Sequence, residues 1–538
     1  MAEGPPGAGA SRVPPGIEAT PGILALYERH GATYPWWVTG VAVLGSFATL
    51  LTATIINVAI PDIMGALGLT IDEAQNLVSA HLAAGTVTML MTAWAIRSFG
   101  IVTTFLFNMV LFAVSSIAGG LANTGEILFL ARLVQGAASG IIMPLSMVMV
   151  AQVFPVDRRG MAMGWMAVGT VLAPALGPTL GGYLVDNLSW RWVFFMAVPF
   201  AVVSMPLALV FFPTREERGP RPSFDWVGVF LCGVFLLSML TALTEAQSEG
   251  WYDDRVTIAL ASTAVSFVAW IAWEARVDEP ILDLRLFRNV RFLGAAIVTF
   301  TVGAALYGST YVFPLFLQTI SRLIPTESGL LMAPAGLVMA VLFPLSGYLA
   351  DRLSIRVLVT VGLVVTAWSC WLMRGVDAYT PVLDMVIWYA ISRAGLALVF
   401  PGLNAAPVNA LPLELIPAGA GMINFVRQLG GALGVNLLSF ALIQQTAQHQ
   451  GRALATQTWD NSGMGELIRL VQEEFTYLGF LGYQGFEMSF GYVMAIVSSQ
   501  GSMLGYRDAF VVIAAVLLLS VVPVWMMGEN RSVERAGV

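Results

Sequence analysis

Long apolar runs alternate with short polar breaks along almost the whole chain. The runs last about 18 to 25 residues, the length at which a helix crosses a hydrocarbon core. They predict fourteen spans, at about 37–60, 74–96, 101–121, 126–150, 161–184, 192–213, 226–245, 256–274, 292–317, 328–350, 356–374, 383–408, 417–445 and 508–528. Lipid offers backbone groups no hydrogen-bond partner, so each run must pair its own groups as a helix. The pattern therefore predicts an all-α integral membrane protein of about 14 transmembrane helices.

Two stretches break the rhythm. Residues 1–35 are rich in Pro and Gly and show no cleavage pattern after an apolar core. They read as a disordered cytoplasmic tail rather than a signal peptide. Residues 446–507 form the longest connector. It follows a polar start (Gln444 to Gln450) with a helical-looking stretch, Gly465 to Phe480, and an aromatic segment, Phe486 to Tyr492. Long structured loops tend to carry function, and a passive connector on the membrane surface is the alternative.

Composition sharpens the class. The 538 residues are 57% hydrophobic and only 11% charged, where a soluble chain carries about twice that charged fraction. The net charge of −7 and the lack of a basic stripe argue against nucleic acid as a partner. All 26 basic residues are Arg. With both termini in the cytosol, fourteen arginines outside the spans fall on the cytosolic side and seven opposite, the bias that the positive-inside rule requires. Cys232 and Cys370 lie inside apolar runs and read as reduced core thiols. No metal-ligand cluster, nucleophile–His–acid set or phosphate-binding Gly loop is present, so the sequence supports neither enzyme chemistry nor a cofactor.

A weak internal repeat is visible. Arg132-Leu-Val-Gln-Gly opens one span, followed by Pro155 and Arg159-Gly-Met-Ala-Met-Gly. Downstream, Arg393-Ala-Gly-Leu-Ala is followed by Pro417 and Gly419-Ala-Gly-Met-Ile-Asn. Parallel repeats of this kind suggest two six-helix halves rocking about a midplane site. The expected organisation is a tail (1–35), a six-helix bundle (36–213), two extra helices (214–276) and a second six-helix bundle (277–538) containing the 446–507 loop.

Charged and polar residues inside the spans are the candidate chemistry. Arg132, Arg393 and Arg427 lie within predicted spans, where a charge is costly unless it faces water or a partner. A substrate-pathway role and structural pairing between helices are both open. Gln135, Tyr307 and Asn424 join them as polar groups in spans. His81 is a proton-coupling candidate because its unperturbed pKa, about 6.5, lies nearest physiological pH; a hydrogen-bonded structural histidine is the alternative. Asp384 is a second candidate, with simple helix N-terminal placement as its alternative. Glu245 ends the seventh span and reads as interfacial. Gly and Pro between Gly169 and Gly182, including Pro174, Gly177, Pro178 and Gly181, thin and kink a helix so that two backbones can approach and bend. Gly347, Asp351 and Arg352 sit at a helix end, where the two charges could pair across the halves or form an ordinary solvated turn.

Several of these segments resemble one family, the major facilitator superfamily in its fourteen-span drug:proton antiporter branch (EmrB/QacA type), over about residues 40 to 530. Thr54-Ile-Ile-Asn-Val-Ala-Ile-Pro61 is similar to the first-span signature, Arg132 with Gln135-Gly136 to the fourth-span motif, and Gly169 to Gly182 to the fifth-span antiporter motif. Trp190-Arg-Trp-Val-Phe-Phe with Pro199, Glu279-Pro-Ile-Leu-Asp283-Leu-Arg-Leu-Phe287, and Gly347-Tyr-Leu-Ala-Asp351-Arg352, the cytosolic gating motif of the second half, follow in the family's order. Two departures stand out. Thr52 stands where the family carries a first-span aspartate, and Trp94-Ala-Ile-Arg97-Ser-Phe-Gly100 lacks the acid of the first-half gating motif.

The resemblance implies an efflux antiporter of the bacterial cytoplasmic (inner) membrane, working by alternating access and driven by the proton gradient without a bound cofactor. It implies small hydrophobic substrates, and a periplasmic adaptor with an outer-membrane channel as partners. Because arginines outnumber carboxylates near mid-span, hydrophobic weak acids are expected ahead of lipophilic cations. A membrane sensor or scaffold on the same fold, and a proton-coupled importer, are the alternative readings.

Overall fold

The computed structural model describes residues 21–213, 222–248, 250–251, 253–377, 380–455, 462–480 and 482–528. The helices, in chain order, are α1 Pro21–His30, α2 Tyr34–Leu67, α3 Ile71–Leu90, α4 Thr92–Phe99, α5 Ile101–Gly120, α6 Gly125–Val153, α7 Arg159–Asn187, α8 Trp192–Phe195, α9 Val198–Phe211, α10 Trp226–Ser248, α11 Asp254–Glu274, α12 Val290–Thr319, α13 Pro325–Arg352, α14 Ile355–Met373, α15 Val382–Asn409, α16 Ile416–Ala455, α17 Ser462–Tyr477, α18 Gly482–Leu519 and α19 Val521–Val524. Among the described residues there is no strand.

Twelve helical segments are long and apolar enough to cross a membrane, and the bent α3–α4 pair makes a thirteenth. Helix α7, 29 residues packed along α2 and α13, completes the fourteen. The span expected at 74–96 is not one straight helix: it breaks at Met91 with a bend of 57°. A capping box starts it, in which the Thr70 amide donates to Glu73 Oε2 (2.8 Å) and the Glu73 amide to Thr70 Oγ1 (3.3 Å).

The neighbour pattern repeats between the halves. Helix α2 packs on α7 and α9 as α12 packs on α16 and α18; α6 packs on α3 and α5 as α15 packs on α13 and α14. The halves meet through α7 against α13 and, in the mirrored role, α16 against α3. Helices α10 and α11 pair with each other; α10 leans on α16 and α3, and α11 reaches α16 through Trp270 against Phe425. One end of the bundle carries both ends of the described chain. There the Tyr27 hydroxyl donates to the Val153 carbonyl (2.5 Å) and Gly294 abuts Met526. We call it the terminal face, and the other end the far face.

Two sequence expectations change. Residues 21–33 are helical rather than part of a disordered tail, because α1 buries Ile23 and Tyr27 against the bundle; residues 1–20 lie outside the described residues. The segment 446–507 is mostly helix. Helix α16 runs 40 residues to Ala455, α17 follows, and the last span is the final part of α18, which is 38 residues long. These extensions leave the apolar slab and pack on one another. Gly501 and Gly505 let α18 touch Gln450 and Thr446 of α16, and Met464, Ile468 and Val493 form a small separate core.

Candidate translocation pathway

Small residues bring the backbones inside each half together. A Cβ on Gly136 of α6 would stand 2.2 Å from the His81 carbonyl oxygen, and one on Gly140 2.1 Å from that of Gly85. In the second half, Gly430 and Gly303 play the same part between α12 and α16, against the carbonyls of Phe300 and Arg427. Such close seams fix the helices that carry the buried arginines.

Each arginine is enclosed and bonded only to neutral oxygen. Arg132, wholly buried, donates from Nε to the Leu77 carbonyl (3.3 Å) and from Nη1 to Gln135 Oε1 (2.7 Å). Gln135 in turn donates to Ser116 Oγ (2.7 Å). Arg393 donates from Nη2 to Thr310 Oγ1 (3.0 Å) and to the Tyr389 hydroxyl, with its guanidinium 4.4 Å above the Tyr389 ring. Arg427 donates to Asn424 Oδ1 (3.3 Å) and Asn404 Oδ1 (2.5 Å), and lies 5.2 Å from the Phe400 ring centre. One guanidinium nitrogen of each stays without a partner: Nη2 of Arg132, Nη1 of Arg393 and Nε of Arg427. Among the described residues the only ion pairs are His449–Asp508 and Arg469–Glu473, so no carboxylate neutralises any of the three.

The other candidates fall into place unevenly. His81 is 3% exposed beside this N-terminal cluster, with Nδ1 unpartnered. Tyr307, a third exposed, reaches Gln428 Oε1 at 3.4 Å next to the Arg427 helix. Asn424 holds Arg427 and approaches Met147 Sδ of the first half at 3.8 Å. Asp384 lies in the first turn of α15, half-buried, more than two turns from Arg393 and outside its network. Thr52 is buried and turns its hydroxyl back to the Ala48 carbonyl (3.0 Å). Glu245 sits half-buried near the far-face end of α10, and both cysteines are free and buried.

The glycine motif of α7 serves packing within one half. The helix is unbroken from Arg159 to Asn187, and Gly177 and Gly181 receive Thr54 and Ile55 of α2. Gly182 faces open space. Of Pro174 and Pro178 only the helical backbone is described.

At the terminal face the halves lock. Asp351, at the end of α13, accepts from the amides of Gly160 (2.7 Å, Oδ1) and Met161 (2.8 Å, Oδ2), capping the first turn of α7 across the interface. Gly160, Gly164 and Gly347 let these helices touch, and Arg159 donates to Asn409 Oδ1 (3.1 Å). Arg352 does not join the lock: it lies exposed over its own Tyr348 ring at 4.2 Å. In the mirrored seam Gly421 of α16 meets the Met89 carbonyl, and the neighbouring α4 offers Ile96 and an exposed Arg97 instead of a carboxylate. Sequence reading missed Ser116, Thr310, Tyr389 and Asn404. Tyr389, four residues before Arg393 on one helix face, was the accessible signal.

A profile of the Major Facilitator Superfamily matches residues 42–435. The multidrug export protein EmrB of Haemophilus influenzae is 28% identical over 484 residues, 90% of this chain and 93% of that one. The fatty acid resistance protein FarB of Neisseria gonorrhoeae is 28% identical over 495 residues, 91% and 95% of the two chains. Among solved structures, the human organic anion transporter MFSD10 superposes with a TM-score of 0.61 at 14% identity, covering 92% of this chain and 99% of that one, a likeness of fold. A fourteen-span membrane chain with two repeated halves, an accessory helix pair and this sequence match belongs to the Major Facilitator Superfamily of transporters.

Proposed function

We propose that the chain is a proton-coupled efflux transporter of hydrophobic compounds in a bacterial inner membrane, with anionic compounds preferred. The observation that carries the preference is the set of three buried guanidinium groups with no carboxylate beside them among the described residues. A buried charge without a counterion is costly, and the cost falls when an anionic substrate supplies one. Arg393 and Arg427 also sit beside aromatic rings, so their surroundings suit a ligand with an apolar body and an acid head. The printed names of EmrB and FarB, multidrug export and fatty acid resistance, lend support from relatives.

The direction rests on the lock at the terminal face. With that face in the cytosol, the conformation is closed inward, and release of Asp351 from α7 opens the path for substrate. Proton entry from outside then resets the pump. The helical protrusion built from α16, α17 and α18 is the surface offered to a periplasmic adaptor and, through it, an outer-membrane channel.

The test is accumulation in cells expressing the wild type, Arg393→Gln or Arg427→Gln, with panels of lipophilic acids and lipophilic cations. Acid export is expected to fall at least tenfold in both variants while their membrane levels stay unchanged. Unaltered acid export in both variants overturns the anion preference, and no export of any compound by the wild type overturns the transporter reading.

A further inference from the structure

Two carboxylates outside the pathway are buried together on the accessory helices. Asp225 immediately precedes α10 and Glu274 closes α11, so both lie at the terminal face; they are 6% and 3% exposed. Glu274 Oε1 accepts from the Trp270 indole (2.8 Å) and Oε2 from the Leu282 amide (3.2 Å). Asp225 Oδ1 accepts from the Gly228 amide (2.8 Å) and the Trp273 indole (2.8 Å). Three of the four carboxylate oxygens thus take N–H donors. The fourth, Asp225 Oδ2, has no partner at all. It lies near Glu274: a methyl group on Gly228 would meet Asp225 Oδ2 at 2.2 Å and Glu274 Oε1 at 2.6 Å, so the two oxygens are less than about 5 Å apart.

Nothing cationic among the described residues answers this pair. From α10 the neighbouring titratable group is the buried Cys232 thiol. On the connecting segment Glu279 accepts from Ser223, Asp283 caps the Arg285 amide, and the exposed Arg276 donates to the Ala272 carbonyl. Helix α4 presents the Trp94 ring, bonded to the Pro222 carbonyl and stacked edge-on to Phe224. Helix α16 presents Phe425 against Trp270, ring centres 5.8 Å apart. Two carboxylates this close, walled by aromatic rings, repel one another when both are ionised, and a proton carried by one of them supplies the donor that Asp225 Oδ2 lacks.

We propose that Asp225 and Glu274 hold one proton between them, making the accessory helix pair a proton-binding site separate from the buried arginines. The proton bridges Asp225 Oδ2 and Glu274 Oε1 and leaves the pair with a single negative charge. Gain or loss of that proton alters the seat of Trp270 on Phe425, two residues from Arg427 on the same helix. The accessory helices thereby sense proton supply on the terminal face.

Infrared difference spectroscopy of the full-length protein in lipid nanodiscs tests this without reference to export. The wild type is expected to show a protonated-carboxyl C=O band at neutral pH that is lost on alkaline titration. Glu274→Gln and Asp225→Asn, each of which supplies its own N–H to the gap, are expected to lose that band while keeping the wild-type helical content. Tryptophan emission gives a second reading in the wild type, with a shift over the same pH range. Absence of the carboxyl band at neutral pH, its persistence in both variants, or an emission that stays constant through the titration overturns the proposal.

Discussion

At the scale of single residues, the cost of burying charge decides the character of the pathway. A hydrogen bond to a charged group contributes about 1.5–3 kcal/mol, against roughly 1 kcal/mol for a neutral pair. Arg393 has two such bonds and an aromatic face, and still leaves Nη1 unsatisfied. Removing one acceptor therefore raises its need for an anion rather than removing the charge. Tyr389→Phe keeps the ring beneath the guanidinium and deletes the hydroxyl. It is expected to tighten binding of a lipophilic acid about tenfold and to slow its release, measured by equilibrium binding to detergent-solubilised protein and by efflux rate. Weaker binding in this variant would show the hydroxyl itself to be part of the acid's site.

Much of this was legible beforehand, for a physical reason. An arginine inside an apolar run is conspicuous because hydrocarbon tolerates so few, and Arg132, Arg393 and Arg427 are all buried. What the chain does not spell out is where each guanidinium lands. Ser116 and Thr310 are ordinary small polar residues of helices until packing sets them beside Arg132's partner Gln135 and beside Arg393. Asp384 attracts notice as a carboxylate one turn into a span, and it stands in the first turn of α15, the helix N-terminal placement that was its alternative reading.

At the scale of helices, glycine positions separate two kinds of contact. Gly136 lies in a seam inside one half, where the neighbour is backbone that cannot yield. Gly136→Ala is expected to destabilise the fold by about 1–3 kcal/mol or more, the usual cost of overpacking, and to lower the thermal midpoint of the purified protein. Gly182→Ala, in a motif that looks equally glycine-rich, meets open space and should leave that midpoint within error, or raise it slightly through helix propensity. Equal loss in both would mean that the motif matters for flexibility rather than for close approach. Helix α17 was legible as the helical-looking stretch Gly465 to Phe480, and α18 marks the limit of pattern reading at this scale. Beyond the slab no lipid imposes an apolar run, so residues 482–507 carry Gly, Ser and Tyr and read as a loop. Their packing on α16 makes them helix.

At the scale of the whole molecule, the two halves are alike in neighbour pattern and unlike in their locks. Asp351 caps α7, whereas among the described residues the mirrored seam at α16 has no carboxylate facing it. The closed state at the terminal face therefore leans on Asp351 for its carboxylate cap, with the Arg159–Asn409 bond beside it. Asp351→Ala removes two charge-assisted bonds and is expected to shift the population towards opening about tenfold or more. Spin labels at Arg97→Cys and Leu353→Cys, exposed positions on opposite halves at that face, would read the change as a longer distance. An unchanged distance distribution would assign the closure to the glycine seams instead.

One unbroken helix, α16, carries Arg427 in the middle of the slab and ends at Ala455 well outside it. Forty residues of α-helix extend about 60 Å, roughly twice the hydrocarbon thickness. A stiff rod of that length works as a pointer: a few degrees of tilt where the guanidinium sits become a displacement of several ångströms at the tip. On the proposed function, a partner resting on the far-face helices would be informed, mechanically, of whether the arginine beneath is occupied.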